Sequence, residues 1–588
     1  MMLLYNNLLT RLQLIGLLTC GIFLYQCSSQ SQNNQDRTIS TDAELIAQGE
    51  SLFVNHCSTC HSFQQSAIGP ALGGVTQEAD PAWLFHFIRN PPQMIEQGDP
   101  RAVRLYEKYQ QYMPPFSALD SLEIEAILAY MHTHKAKTVQ QTDSFPHLEN
   151  PIAQSIEKSG LALVVEQVAQ APASAADPPM ARINKLLTLP TSSGARTFIH
   201  DLRGTLYELK GENFVPYLDI KAHKTNFIDK PGLATGLGSF AFHPEFEKNG
   251  LFYTTHTEPP GTATADFAYH DSLKVTLQWV LCEWKADQPK AERFRGSSRE
   301  LMRINMISGV HGVQDISFNP LAKKGDEDYG LLYMSTGDGG AALKGYFFLI
   351  QSKKHIWGTI SRVDPLGNNS KNGQYGIPQS NPFAQDKDPE VLKEIWAYGF
   401  RNPHRISWDM GGDNKMLITN IGQRQIESIY LGKAGANYGW AKREGTFLLK
   451  KENIDQVYPL PQNDAGLGFT YPVAQYDHDE GNAISGGFVY RGKNIPQLQG
   501  KYIFGDIVSG RLFYVEADQL KEGQQESIHE IELMAEGQLT DWRSLCGHRR
   551  VDLRFGLGAD QELYMFTKVD GKLWKVSSLN NNLISKAE

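Results

Sequence analysis

Thr197-Phe-Ile-His200 is followed, after a short turn, by Gly204-Thr-Leu-Tyr-Glu-Leu209. Both runs are short and rich in β-branched and aromatic residues, which is the pattern of two strands joined by a tight connection. The same unit recurs outward along the chain. Leu251-Phe-Tyr-Thr-Thr255, Leu331-Leu-Tyr-Met-Ser-Thr336, Gly487-Phe-Val-Tyr490 and Tyr502-Ile-Phe504 repeat it. So do Arg511-Leu-Phe-Tyr-Val515, Glu562-Leu-Tyr-Met-Phe566 and Lys572-Leu-Trp-Lys-Val576. Strands of this kind from about residue 160 to 580 predict one closed antiparallel array rather than βαβ units, because closure leaves few unpaired edges. At roughly 40–70 residues per blade, a β-propeller of six to eight blades is expected.

The chain has 588 residues, 41% hydrophobic and 21% charged. At roughly 100–200 residues per domain this predicts two to four domains, unless a propeller absorbs the excess. The balance excludes a disordered, collagenous or multispan membrane protein. With 56 basic against 65 acidic side chains the formal charge is −9, which speaks against general nucleic-acid binding. Six cysteines are too few for a disulfide scaffold of this length, so each is placed individually.

One apolar stretch, Leu14 to Tyr25, stands near the N-terminus. It is shorter than the roughly 20 residues a membrane-spanning helix needs, and Arg11 precedes it, so it reads as the core of a signal peptide. Cys27 follows, then a polar run to Thr41. A cysteine there resembles a bacterial lipoprotein acceptor, although Gln26 occupies a place where a small residue is usual. Cys20 lies within the apolar stretch. The expected organisation is a leader at 1–26, a tether at 27–41, a helical domain at 42–135, a linker at 136–159 and the propeller at 160–580.

Cys57-Ser-Thr-Cys60-His61 is a C-x-x-C-H motif. Two thiols at this spacing can bond the vinyl groups of haem, and the adjacent histidine can ligate the iron. A redox pair or a zinc site uses the same spacing, but export favours haem c. Ile46, Gly49, Leu52 and Phe53 share one helical face upstream. Ile124, Ile127, Leu128 and Met131 share another downstream, with Asp120 or Ser121 as its N-cap. Gly49 permits a close crossing by a residue such as Tyr130. The segment resembles a class I cytochrome c. That resemblance implies a second axial ligand, Met113 in Tyr112-Met-Pro-Pro-Phe116, with Met94 as the competitor.

Four motifs in the large domain carry a second resemblance. They are Gly236-Leu-Gly-Ser-Phe-Ala-Phe-His-Pro-Glu-Phe-Glu-Lys-Asn-Gly-Leu-Phe-Tyr253, His311-Gly-Val-Gln-Asp-Ile-Ser-Phe-Asn-Pro320 running to Gly337-Asp-Gly-Gly340, Glu394-Ile-Trp-Ala-Tyr-Gly-Phe-Arg-Asn-Pro403, and Asn420-Ile-Gly-Gln423 followed by Gly435-Ala-Asn-Tyr-Gly-Trp440. In this order they resemble the soluble glucose/sorbosone (aldose) dehydrogenases that use pyrroloquinoline quinone. The resemblance implies a mainly β fold, a six-bladed propeller, with quinone and calcium at one mouth of its channel. It implies His311 as the base, Asp338 as an acid that orients it or the substrate, and Arg401 with Asn402 as cofactor ligands. Gly422 and Gln423 would give backbone carbonyls to calcium, and Arg549 and Arg550 match a late cofactor-binding pair.

The chain departs from the pattern in places. Gly312-Val313 follows the histidine where Asn-Gly is usual. Ala234 stands at a substrate-side glutamine, and Val508 at a cofactor-binding lysine. Arg511, Asp506 and Arg554 are candidates to compensate. Cys282 and Cys546 remain as either a pair or separate buried thiols. The expected function is an exported quinohaemoprotein dehydrogenase, oxidising a sugar or related alcohol and passing electrons through haem c to a downstream acceptor. The alternative is a non-catalytic propeller that binds a partner, with a haem domain as electron carrier.

Overall fold

The computed structural model describes residues 38–58, 60–63, 69–109, 113–136, 146–232, 234–270 and 272–581. The leader, Cys20 and the lipid-acceptor candidate Cys27 lie outside the described residues, as do residues 137–145 of the linker. Among the described residues no helix is long and apolar enough to cross a membrane.

The N-terminal part is helical: α1 (Ala43–His56), α2 (Val75–Glu78), α3 (Pro81–Arg89), α4 (Pro91–Glu96), α5 (Pro100–Tyr109) and α6 (Ser121–His132). Asp42 starts α1 by accepting the amides of Glu44 and Leu45. Asp120 starts α6 in a reciprocal capping box with Glu123, which satisfies two orphan donors at once. The helices α1 and α6 cross at Gly49, where a Cβ would lie 1.8 Å from the Ala126 carbonyl oxygen and 3.0 Å from Tyr130 Cβ. The backbones therefore touch, as the sequence led one to expect. Phe53, Leu84, Phe85, Ile88, Ile124, Ile127, Leu128 and Met131 form the core of this part, and Cys57 is buried with them.

From β1 (Glu157–Gln170) onward the chain is built of strands. Four sheets of four strands follow the chain order closely. The first holds β2 (Ile183–Thr191), β3 (Gly194–Asp201), β4 (Thr205–Lys210) and β5 (Asn213–Asp219). The second holds β6 (Ser239–Phe242), β7 (Leu251–Glu258), β8 (Leu277–Ala286) and β9 (Gly296–Met306). The third holds β10 (Val313–Phe318), β11 (Leu332–Thr336), β12 (Thr359–Val363) and β13 (Ile395–Tyr398). The fourth holds β14 (Pro403–Trp408), β15 (Met416–Asn420), β16 (Ile426–Leu431) and β20 (Ala474–Asp477). A small three-stranded sheet, β17 (Arg443–Glu444), β18 (Phe447–Lys450) and β19 (Asn453–Tyr458), interrupts the fourth.

The remaining strands form one nine-stranded sheet. Its first half is β21 (Ile484–Val489), β22 (Lys501–Asp506), β23 (Leu512–Glu516) and β24 (His529–Ala535), with β25 (Gln538–Thr540) beside β24. Its second half is β26 (Leu553–Leu557), β27 (Leu563–Thr567) and β28 (Lys572–Asn580). The strand β1 joins the halves, antiparallel to β28 and parallel to β24. The N-terminal strand thus closes the array against the last ones. The inner strands β2, β6, β10, β14, β21 and β26 contact one another in succession, and β26 meets β2 again. The fold is mainly β and propeller-like.

Aromatic residues fill the spaces between sheets. Phe240, Phe242, Phe246, Phe252, Trp284 and Phe294 pack as one cluster between the first two; each such buried ring is worth roughly 1.5–3 kcal/mol of transfer free energy. The innermost strands are buried on both faces: Ser239–Phe242 has no exposed position. This is why strict alternation is weak in the sequence there. The approach to β1 is tied down, since Leu148 bridges Val457 and the amide of Ile152 donates to Asp477.

Candidate active site

The inner strands converge on a cavity of about 210 Å³. His311 enters it from the loop before β10, with φ of +52°. A non-glycine residue in that left-handed region is uncommon, and strain of roughly 1–3 kcal/mol of this kind clusters at functional sites. The chain can pass so closely because position 337 is glycine: a Cβ there would lie 2.5 Å from the His311 carbonyl oxygen. A Cβ at Gly312 would lie 2.0 Å from Trp279 Nε1. The departure from Asn-Gly is therefore imposed by a neighbouring indole.

Nδ1 of His311 lies 2.7 Å from Oδ1 of Asp338. Asp338 is held in turn: Trp440 Nε1–H donates to Oδ2 at 3.0 Å, and the Gly340 amide donates to Oδ1 at 2.8 Å. The carboxylate faces Nδ1, so that nitrogen carries the proton and Nε2 keeps its lone pair. Burial pushes the imidazole pKa down, and the Arg401 charge adds to this; Asp338 opposes both. Burial alone would raise the Asp338 carboxyl, but His311 and Arg401 hold it below the usual range. The result is a neutral imidazole oriented by an anionic carboxylate.

Arg401 donates through Nε to Gln423 Oε1 at 2.9 Å and through a terminal nitrogen to the Ile421 carbonyl at 3.3 Å. The Asn402 carboxamide lines the cavity, and its Oδ1 is buried with no hydrogen-bond partner among the described residues. The loop Gly422–Ile426 is fixed from behind: Glu444 Oε1 accepts the amides of Gln423, Arg424, Gln425 and Ile426, the closest at 2.7 Å. Glu427 accepts the Gly422 amide at 3.2 Å. Gly422 and Gln423 both line the cavity. Among the described residues no group of three His, Cys, Asp or Glu side chains is placed to hold a metal ion. A cation at this loop would depend on main-chain carbonyls.

The wall is strongly cationic. Arg182, Arg401, Arg424, Arg550, Arg554 and Lys568 line it, against the single carboxylate of Asp552 among the described residues. Such a cavity, with an orphaned amide oxygen, fits a planar multi-anion with its own polar edge. Of the two late arginines only Arg550 belongs to it. Arg549 faces away and meets Tyr106 instead. Arg550, Asp552 and Arg554 share the inward side. Two of the candidate compensating groups are also excluded. Arg511 is paired with Glu480 and Glu530. Asp506 is occupied by the amides of Asn482, Ala483, Val508 and Ser509. Arg554 does reach the cavity, as do Ala234 and Val508. Cys282 and Cys546 are separate free thiols; Cys282 is fully buried in β8.

The helical part adds its own group of residues. Cys57, Cys60 and His61 lie in the turn that ends α1, where the amides of Cys60 and His61 both donate to the Cys57 carbonyl. His61 Nδ1 is 2.9 Å from the Pro70 carbonyl. That bond leaves Nε2 as the ligating nitrogen and fixes the ring plane, the usual device for a metal-binding histidine. A Cβ at Gly69 would lie 2.3 Å from the His61 ring. Met113 packs on the core that contains Cys57, and Met94 does not. These residues fit a covalently bound haem.

The two groups meet. Tyr109 of α5 is buried and forms part of the cavity wall, with the Arg424 guanidinium 4.6 Å from its ring. Lys274 bridges to Glu50 of α1 at 2.6 Å. The Arg550 charge is near enough to Cys60 to pull its thiol pKa down against the larger opposing effect of burial. The motif for haem and the cavity of His311 thus share one arginine as a neighbour.

Residues 46–135 match the family model described as Cytochrome c, and residues 221–539 match the model described as Glucose / Sorbosone dehydrogenase. The chain belongs to the glucose/sorbosone dehydrogenase family. An Arabidopsis thaliana HIPL1 protein is 30% identical over 310 residues, 46% of this chain and 42% of that protein. The aldose sugar dehydrogenase YliI of Escherichia coli is 26% identical over 240 residues, 40% of this chain and 58% of that one. The solved PQQ-bound aldose sugar dehydrogenase of Streptomyces coelicolor aligns at 18% identity and a TM-score of 0.47, covering 71% of this chain and 98% of that chain. The chain spans about half the length of the curated relatives it matches. The glucose/sorbosone dehydrogenase model covers His311, Asp338, Arg401, Asn402, Gly422 and Gln423, but Arg550, Arg554 and Lys568 lie beyond its end. Reading the sequence did not single out Glu444, Lys568 or the wall residue Tyr109. Trp440 was inside a quoted motif but carried no local signal of its bond to Asp338, 102 residues away.

Proposed function

We propose that the chain is an exported quinohaemoprotein dehydrogenase, a six-bladed propeller that oxidises a sugar or related alcohol. The observation that carries this reading is the His311–Asp338 pair, 2.7 Å apart, opening on a cationic cavity walled partly by the haem domain. The resident cofactor is pyrroloquinoline quinone, held by Arg401, Asn402 and Arg550; when bound it supplies a two-electron acceptor for the substrate's hydride. His311 takes the hydroxyl proton at Nε2, because Nδ1 is committed to Asp338. Asp338 stabilises the imidazolium that results. Haem c, on Cys57, Cys60, His61 and Met113, supplies the one-electron exit toward a downstream acceptor. Calcium would rest on the carbonyls of Gly422 and Gln423. Cys27 would carry a lipid that anchors the protein in the cell envelope, and the chain would work in the periplasm.

The relatives named HIPL1 and Hedgehog-interacting protein, with Ala234 and Val508 at the cavity wall, favour the second reading, a propeller that binds a partner. The two separate in one experiment. Haem-loaded protein is mixed with quinone and calcium, and haem absorption is followed across a panel of sugars and polyols. Reduction by at least one of them is expected. His311→Ala should slow it by about 10²–10⁴-fold while dithionite still reduces the haem. No reduction by any substrate, with dithionite reduction intact, leaves the binding reading in place.

A further inference from the structure

Lys568 is a buried cation that the proposed chemistry leaves unused. It lines the same cavity as His311, and it is 5% exposed. Its ammonium makes neither hydrogen bond nor ion pair among the described residues. A buried ammonium without a carboxylate partner is costly unless something else is meant to meet it. The groups that face it most strongly are mostly cations or neutral rings: Arg182, Arg405, Arg554, His200 and His404, with Asp552 as the acid among them. Burial and the nearby arginines push the lysine pKa well down, with Asp552 opposing.

Its place in the fold is as informative as its surroundings. The Val551 amide donates to the Val508 carbonyl, and the Lys568 amide donates to the Asp552 carbonyl. Val508, the pair 551–552 and Lys568 are therefore successive stations around one wall. Val508 is the position where the family resemblance puts a cofactor-binding lysine, and it is buried and apolar here. The cation absent at 508 reappears two chain segments further round, facing the same space.

We infer that Lys568 holds a carboxylate of the quinone cofactor, in the role the resemblance assigns to position 508, with Arg554 and Arg182 flanking the same anion. This rests on the reading of the cavity as a quinone site. A carboxylate of the cofactor gives this ammonium a directly bonded anionic partner. Removing the ammonium without changing the side chain's bulk removes that attraction.

The test is calorimetric titration of the haem-loaded full chain with pyrroloquinoline quinone and calcium. The native protein should bind the quinone. Lys568→Met should bind about 10–100-fold more weakly. The double variant Lys568→Met/Val508→Lys should recover much of the affinity. Circular dichroism and the haem spectrum check that each variant is folded; if Lys568→Met is not, Lys568→Gln and Lys568→Arg take its place, with weak and near-native binding expected in turn. Native affinity in a folded neutral variant overturns the inference alone. A native chain that binds no quinone overturns the proposed function, and the inference with it.

Discussion

At the scale of single residues, the site is a set of constraints on two atoms of one imidazole. Asp338 fixes Nδ1, and Trp440 and the Gly340 amide fix Asp338. Asp338→Asn should therefore slow substrate-driven haem reduction by about 10²–10⁴-fold, with little change in the haem midpoint potential. The pH dependence follows from the direction of the His311 shift. Its pKa is lowered from 6.5, so the ring is neutral at pH 7 and becomes protonated only on further acidification. The acidic limb of kcat/KM should lie below pH 6.5, because the active base is lost as pH falls through the folded value. A limb above that value would show that another group controls it. Most of this site was legible. His311, Asp338, Arg401 and Asn402 stand in the motifs that carry the family resemblance, and Arg554 was a candidate beside them. Lys568 was not, because it follows a strand at the far end of the chain and no local pattern marks a buried lysine.

At the scale of elements, Gly49 shows how a single hydrogen atom sets a helix crossing. Its missing Cβ would overlap the Ala126 carbonyl at 1.8 Å. Gly49→Ala should destabilise the haem domain by about 1–3 kcal/mol, read as a lower denaturant midpoint for loss of the haem signal. The gain in helix propensity from alanine, about 1 kcal/mol, works in the opposite direction and does not relieve the overlap. Both helices were legible from their apolar faces and from the Asp120–Glu123 cap. The strands were legible as aromatic runs, but their grouping was not. Innermost strands such as Ser239–Phe242 are buried on both faces, which erases the two-residue period that would have marked one face. The pairing of β1 with both β24 and β28 joins segments more than 350 residues apart, and sequence carries no local trace of it.

At the scale of the whole molecule, two of the contacts between the haem domain and the propeller are peripheral. The Glu50–Lys274 bridge is solvent-exposed on the lysine side, 73% of that side chain being accessible, and such pairs are worth roughly 0–1 kcal/mol. The Tyr106–Arg549 contact is likewise at the periphery. Glu50→Lys should slow internal haem reduction by no more than about fivefold, more so at low ionic strength. Oxidation coupled to a small soluble dye should be unaffected. A loss of dye-coupled activity as well would mean that Glu50 matters to the cavity itself.

Tyr109 changes what it means to separate the two parts. Because its ring is a piece of the cavity wall, the propeller cut free of the haem domain is more than an enzyme deprived of its electron outlet. It is a vessel with one side missing, wetter and wider than before. Grafting this haem domain onto another propeller would likewise transplant a surface that shapes what the new host accepts. On the proposed function, electron delivery and substrate choice form a single inherited trait, tuned together at the seam between the domains.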